Sequence, residues 1–389
     1  MEKNKGKTQI NKLINIPLLS FFTGGGFLDM GFEEAGFKII WTNENNSIFA
    51  NLYHYGMSNW RSSINITPQN VFINNTKSIK KVFEKEILKQ AFNDKKPDFF
   101  GVIGGPPCPD FSTGGKNQGG NGINGRLSKI YIERICKLRP SFFVFENVPG
   151  LYKTKIHREF LADLEIILEK CEYGLDLKIL NVLDLGVPQD RERLIMIGIQ
   201  KSHIYNCLGR QVKEKERGWF PWPINKKYDK AKIRFKWPDV VDYEENPVLP
   251  DGIPEELTVY SIFNSSNCPS KIQNGKDIFN AYSKKFSLIK EGDTHRKSFK
   301  KLHRYRYSPT VCYGHNEVHL HPWEKRRLSV REAMRIQGIP DTYVLPEEAP
   351  LTAKFALVSN GVPVPLAREV AKQLFAFFNK GDLITNGNL

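Results

Sequence analysis

Four side chains carry groups that could do chemistry together. Cys108 lies in Gly104-Gly105-Pro106-Pro107-Cys108-Pro109-Asp110-Phe111-Ser112. A thiolate is a strong nucleophile whose pKa, about 8.5 when free, falls near positive charge. Two prolines hold the chain extended just ahead of it, because proline fixes its own φ and restricts the residue before it. Six glycines follow between Gly114 and Gly125, which suits a nucleophile that must close on a large substrate. The alternative is a buried structural thiol beside a surface loop. Glu146, in Glu146-Asn147-Val148, places a carboxylate at the end of an apolar run. Arg191 and Arg193, in Gln189-Asp190-Arg191-Glu192-Arg193, stand at alternate positions entering another apolar run, so they are expected on one side of a strand. They form either a surface ladder or a clamp for planar acceptors.

The elements that must position these groups read as alternating strands and helices. Residues 98–103 form a buried strand that ends just before Gly104, and in an open α/β sheet the carboxyl edge is where ligands sit. A first strand at 14–22 runs into the tight turn Thr23-Gly24-Gly25-Gly26 and a helix at 27–36, with Asp29, Glu33 and Glu34 interleaved. A second strand at 37–42 leads to Glu44, twenty residues beyond Gly24. An acidic residue at that distance from a glycine turn is placed to bind ribose hydroxyls; otherwise it is a solvated loop carboxylate. Residues 50–95 are polar and asparagine-rich and suggest no function. Helices are expected at 129–138 and 157–171, and strands at 141–145, 177–183 and 194–199.

Composition narrows the partner. The 389 residues carry 57 Lys and Arg against 42 Asp and Glu, a net charge of +15, which favours a polyanion. No apolar run approaches the length that crosses a bilayer, and the basic start lacks a signal-peptide cleavage site. The six cysteines lie at least 28 residues apart, without C-x-x-C spacing. Neither a zinc site nor a disulfide framework is expected, and a reduced, cytoplasmic protein fits best.

From residue 201 to about 322 the helical patterns give way to proline, lysine and aromatics, with 22 basic against 14 acidic residues. Residues 284–306 hold nine cations and two acids among Phe286, Phe299 and Tyr305, which reads as a nucleic-acid surface rather than a solvated loop. Helical style returns at Arg327, with Ser329 and Glu332 spaced as a capping box. A short apolar segment at 351–357 and a final helix at 366–379 close the chain. The organisation is an α/β domain, 1–200 and 323–389, interrupted by a basic, loop-rich insertion at 201–322.

The set of motifs resembles the C5-cytosine DNA methyltransferases of prokaryotic restriction-modification type, along almost the whole catalytic portion. Phe22-Thr23-Gly24-Gly25-Gly26-Phe27 is similar to that family's S-adenosylmethionine turn, and Glu44 to its ribose-binding carboxylate. Gly105-Pro106-Pro107-Cys108 resembles its Pro-Cys nucleophile motif, Glu146-Asn147-Val148 its Glu-Asn-Val, and Gln189 to Arg193 its Gln-x-Arg-x-Arg. Arg331 to Asp341 resembles its late helix and Asn360-Gly361-Val362-Pro363 its closing motif. Ser20 stands where an aspartate is common, Phe27 replaces a third glycine, Pro109 a glutamine and Ser359 a glycine; the segment near Ile64 lacks the aspartate that would meet the adenine amino group. None of these removes a reacting group.

The resemblance implies a doubly wound, mostly parallel Rossmann-like sheet with the insertion as a target-recognition domain. It implies S-adenosylmethionine held by residues 22–27, Glu44, Asn45, Pro107, Asn360 and Val362, and no metal. Cys108 adds to C6 of cytosine, Glu146 protonates N3, and Arg193, with Arg191 beside it, holds O2 and orients Glu146; C5 then takes the sulfonium methyl. Because C6 is hidden in the stack, the base must be flipped out, with 114–125 closing on the DNA. The implied partner is double-stranded DNA, with a cognate restriction enzyme as functional partner and the protein itself a monomer in the cytoplasm, on the nucleoid. An RNA cytosine methylase, a non-catalytic DNA-binding regulator and a nicotinamide dehydrogenase are the competing readings. The long insertion disfavours the first, the reacting groups the second, and Cys108 with the basic insertion the third. The recognised base sequence is not legible in 201–322.

Overall fold

The computed structural model describes residues 16–64, 73–107, 123–242, 245–265, 268–280, 286, 288–296, 298–311, 313 and 319–381. Cys108, Pro109 and most of the glycine-rich segment lie outside the described residues.

Seven strands matter for the site: β1 (Ile16–Phe21), β2 (Phe37–Asn43), β3 (Gly101–Gly104), β4 (Phe142–Asn147), β5 (Tyr173–Asn181), β6 (Gln189–Asp190) and β7 (Glu192–Gln200). Six of them form one sheet in the order β2-β1-β3-β4-β7-β5. β2, β1, β3 and β4 are parallel, and β7 runs antiparallel to both β4 and β5. The central strands are apolar at nearly every position because both faces are covered, as in parallel sheets generally. Along β4, Phe142 and Val144 face one core while Phe143 and Phe145 face another. The doubly wound α/β expectation holds, with one strand reversed.

The helices are α1 (Phe27–Glu34), α2 (Ser47–Ser63), α3 (Glu84–Phe92), α4 (Ile123–Leu138), α5 (Gly150–Lys153), α6 (Lys155–Lys170), α7 (Lys201–Leu208), α8 (Ala231–Arg234), α9 (Val259–Phe263), α10 (Val330–Ile336), α11 (Leu351–Asn360) and α12 (Val364–Lys380). On one sheet face α1 brings Leu28 and Phe32, and α12 brings Leu366, Val370, Leu374 and Phe378. On the other, α4 brings Tyr131, Ile132 and Ile135, and α6 brings Leu161, Leu164 and Leu168. Thus the last helix returns to the first, as the late helical pattern suggested. Trp219 and Phe220 also pack on Phe377 of α12, so the stretch just after residue 200 shares that core. A third core joins α1 and α2 to α10, α11 and the insertion through Met57, Leu302, Met334 and Leu357.

Several local readings need adjustment. Gly125 opens α4 rather than extending the loop, since the helix starts at Ile123, six residues before the expected 129. The asparagines of 73–77 work on β2: the Asn74 carboxamide oxygen accepts from the Thr42 amide and hydroxyl, and Asn43 donates to the carbonyls of Asn75 and Lys77. The capping box at Ser329 and Glu332 is present. The thiol reading is corrected: Cys136 of α4 and Cys171 at the end of α6 are joined as a disulfide, with Cα atoms 5.7 Å apart. Their separation of 35 residues gives no signal along the chain; only the side-by-side packing of the two helices brings them together.

Candidate active site

Register sets the site. Phe21, Gly104 and Phe145 are aligned across β1, β3 and β4, so the residues after them, Phe22, Gly105 and Glu146, emerge together at the carboxyl edge. Because β7 is antiparallel, its first residues arrive at the same edge, with Leu194 opposite Asn147. Arg193 Nε stands 2.9 Å from Glu146 Oε1, and both side chains are buried. Burial lifts the Glu146 pKa above the ordinary carboxylate range, with the cations of Arg193 and Arg191 pulling the other way. The second oxygen, Oε2, presses on Gly105: a Cβ there would lie 2.6 Å from it. The Asn147 side chain donates to the Pro106 carbonyl at 3.3 Å, fixing the Pro-Pro segment against the end of β4. Pro106 is therefore anchored two residues ahead of Cys108.

Arg191 goes elsewhere. The chain breaks between β6 and β7 at Arg191, so the simple alternation expected of the two arginines fails. Its guanidinium is fully buried and donates to the carbonyls of Val311, Ser359 and Gly361. Gln189 is also buried and donates to the Ile336 carbonyl and to Gln337, whose own amide reaches the Val358 carbonyl. The Gln-x-Arg-x-Arg segment thus offers one guanidinium to Glu146 and uses its other two long side chains to bind the C-terminal segments.

At the other end of the same edge, the Gly24 amide donates to Glu44 Oε2 at 3.0 Å and the Asn46 amide to Oε1 at 2.8 Å. Gly26, at φ 80°, closes the turn and starts α1; a Cβ on it would meet Tyr53 at 2.7 Å. Over Gly24 there is open space, since a Cβ there would meet nothing within 4 Å. A buried carboxylate beside an open glycine backbone fits an adenosine-bearing cofactor with ribose hydroxyls. Of the other residues assigned to the cofactor, Thr23 is tied to the Asn43 carbonyl, Pro107 is half-buried, and Asn45 and Asn360 are exposed. The side chains of Phe27 and Val362 are buried in the cores, Phe27 against Gly25 and Gly361, so Phe27 packs the turn from beneath rather than lining the open face. Phe22 is half-buried at φ 55°.

Sequence reasoning missed what holds this turn. Ser20 donates to Asp29, Tyr53 also donates to Asp29, and the Tyr343 hydroxyl donates to the Gly25 carbonyl at 2.9 Å. Asp29 and Glu33, given no role in the sequence beyond being acids interleaved in a helix, are fully buried and forked by Arg61 of α2, respectively. Several cations of the basic strip have acidic partners. Within 284–306, Lys301 is buried, Arg304 is forked on the buried Glu291, Arg296 pairs with Asp293 and Lys290 with Asp242; Lys284, Lys285 and Lys297 lie outside the described residues. An open groove of about 430 Å³ lies at Ile224, Lys226, Asp229, Lys230, Ile233 and Arg234. It belongs to a run, 226–236, with six cations and one acid. Lys232 reaches Asp190 at 2.8 Å, and Asp184 caps Ala231, so the run hangs from the active edge of the sheet.

Among the described residues no group of three or more His, Cys, Asp or Glu could hold a metal ion, and no helix is long and apolar enough to cross a membrane.

Comparison with known proteins agrees with this geometry. The model of the C-5 cytosine-specific DNA methylase family matches residues 16–376. The Type II methyltransferase M.NmeDI of Neisseria meningitidis serogroup C is 39% identical over 366 residues, covering 92% of this chain and 83% of that one. M.FnuDI of Fusobacterium nucleatum, also a Type II methyltransferase, is 31% identical, covering 92% and 93%. Among solved structures, a DNA modification methyltransferase encoded within an E. coli prophage has a TM-score of 0.62 at 21% identity, covering 94% of this chain and all of that one. The S. pombe Dnmt2 methyltransferase has a TM-score of 0.59 at 13% identity, covering 93% and 98%.

Arg193→Met tests the buried pair by its pH dependence. Removing the cation deletes a cause that lowers the Glu146 pKa, so the folded-state value rises further above the unfolded one. A carboxyl raised on folding binds more protons in the native state, so stability is lost as pH rises from the ordinary carboxylate range through the folded value. Urea midpoints should show a cost of about 3–5 kcal/mol at pH 8 and clearly less at pH 5. An equal loss at both pH values would mean that the pair is not charged as described.

Proposed function

The chain belongs to the C-5 cytosine-specific DNA methylase family, and on that premise we propose that it transfers a methyl group from S-adenosylmethionine to C5 of cytosine in a specific double-stranded DNA sequence, as the modification half of a restriction-modification system. The observation that carries the reading is the buried Glu146–Arg193 pair, held against Gly105 at the foot of the Pro-Pro-Cys segment.

Each residue's part follows from its chemistry. C5 of cytosine is a poor nucleophile until C6 is attacked. The Cys108 thiolate forms an S–C6 bond, the C5–C6 double bond shifts to C4–C5, and the C4–N3 π pair moves onto N3. Glu146 gives N3 its proton, for which burial suits it by keeping the carboxyl protonated at higher pH. Arg193 holds Glu146 in place and offers its remaining N–H groups to the base. Arg191 acts at a distance, by fixing the segment around Gly361. Glu44 and the backbone of Gly24 to Gly26 would hold S-adenosylmethionine, which supplies an electrophilic methyl group. Loss of the C5 proton and of the thiolate, with return of the N3 proton to Glu146, then restores the ring. The base must leave the duplex stack to reach the edge, and residues 201–322 act as the target-recognition domain, with the cations of 226–236 on the DNA backbone. The relatives named Type II methyltransferases support the restriction-modification setting, with the protein in the cytoplasm on the nucleoid.

Two experiments test this. Cys108→Ser should abolish tritiated methyl incorporation while cofactor and DNA binding survive, and Glu146→Gln should slow the single-turnover step about a hundredfold or more. Undiminished turnover by the serine variant would exclude the assignment. Separately, replacing Lys226, Lys230 and Arg234 with glutamine should weaken binding to the target site and to scrambled DNA alike. The slope of log affinity against log salt should become shallower by about 0.9 for each phosphate that is no longer neutralised. An unchanged slope would return this groove to a solvated surface.

A further inference from the structure

The carboxyl of Asp29 has no part in the mechanism above, and its surroundings make it costly. It is fully buried in the first turn of α1. Its direct partners are two hydroxyls, Ser20 Oγ at 2.6 Å on Oδ1 and Tyr53 Oη at 3.0 Å on Oδ2. The nearby cation, Arg61, is committed to Glu33 through two hydrogen bonds of 2.8 and 2.6 Å. A buried carboxyl with hydroxyl partners alone is worse for stability than a well-packed apolar side chain. Its place in the fold supplies a reason to keep it. Ser20 lies on β1 one residue before the strand ends, Tyr53 lies on α2, and Asp29 lies three residues beyond Gly26. The Tyr53 ring also occupies the space where a Gly26 side chain would stand.

We infer that Asp29 is a positioning residue for the cofactor turn: through Ser20 and Tyr53 it ties the end of β1 and helix α2 to the first turn of α1, so that residues 23–26 keep the shape that receives S-adenosylmethionine. Tyr343 closes the same turn from the opposite side by its bond to the Gly25 carbonyl. The tie is made of three elements that no backbone ladder joins, since α1 and α2 carry no sheet hydrogen bonds. Burial lifts the Asp29 pKa to about 7, with Glu33 adding to the rise and Ser20, Tyr53 and Arg61 opposing it.

The identification of the ligand rests on the proposed function; the tie itself does not. Asp29→Ala should speed amide hydrogen exchange in residues 22–28 of the ligand-free protein about tenfold or more, as expected when a local tie is cut. The Kd for S-adenosylmethionine should rise about tenfold, which corresponds to 1.4 kcal/mol. The single-turnover rate at saturating cofactor should stay within about twofold, because the loss lies in binding rather than in the chemical step. Asp29→Asn, which keeps an acceptor for Ser20, should recover most of both losses. Should the alanine variant fail to fold, Ser20→Ala and Tyr53→Phe remove the two hydrogen bonds singly and should each move exchange and Kd in the same direction. Wild-type exchange at 22–28 in these variants would overturn the inference, and so would faster exchange with an unchanged Kd. A wild-type protein that does not bind S-adenosylmethionine would count against the functional reading, while the exchange experiment would still decide the tie.

Discussion

A carboxylate withdrawn from water at the end of β4 is the constraint that the site answers to. Glu146 cannot be buried without a compensating partner, because the desolvation of a charge costs several kcal/mol. The partner comes from β7, and only the reversal of that strand makes this possible. In a uniformly parallel sheet the first residues of the next strand would enter at the far edge. Running antiparallel to β4, β7 instead delivers Arg193 beside Glu146 at 2.9 Å. The same residue then dictates what can stand opposite it, and Gly105 is the answer, since any side chain there would drive Glu146 Oε2 away from its place. The acid, its cation and the approach to Cys108 form one geometric unit.

The remaining long-range bonds keep that unit from drifting. Gln189 and Arg191 reach across more than a hundred residues of chain to carbonyls at 311, 336, 359 and 361. Tyr343 reaches back to Gly25. Tyr343 is in turn held by Arg331, a buried guanidinium that donates to the carbonyls of Gln273, Pro340 and Tyr343. Guanidinium suits this work because its planar fork satisfies several carbonyls at once and stays charged. Through Arg331 and Tyr343 the segment around Gln273 is thus joined to the glycine turn at Gly25.

How much of this was legible in the sequence depended on whether the signal was local. Strands with apolar runs, the glycine turn, Glu44 at its distance from Gly24 and the Ser329–Glu332 cap could all be read directly, because each is set by neighbours in the chain. The position of Glu146 and Arg193 at one edge was readable in outline from the two strand ends. The split between Arg191 and Arg193 was not, since a one-residue break in the strand redirects a side chain without changing composition. Asp29 and Glu33 drew no role in the sequence because helix periodicity ranks residues by polarity and cannot see a tyrosine or an arginine arriving from α2. Within the basic run, the burial of Lys301 and the fork of Arg304 on the buried Glu291 were likewise not legible, because composition does not show which cations are covered. The pairing of Cys136 with Cys171 depended wholly on helix packing.

The proposed attack by Cys108, behind its two prolines, on a cytosine held by Glu146 and Arg193 would leave a covalent trace that can be trapped. The most direct measurement is peptide mass spectrometry of the enzyme after incubation with S-adenosylmethionine and duplex DNA in which cytosine is replaced by 5-fluorocytosine, from which the C5 substituent cannot leave as a proton. A stable covalent complex is expected, with the methylated base attached to the peptide that contains Cys108. A nucleotide attached to another residue, or methylated DNA released with no covalent complex, would contradict the proposed chemistry.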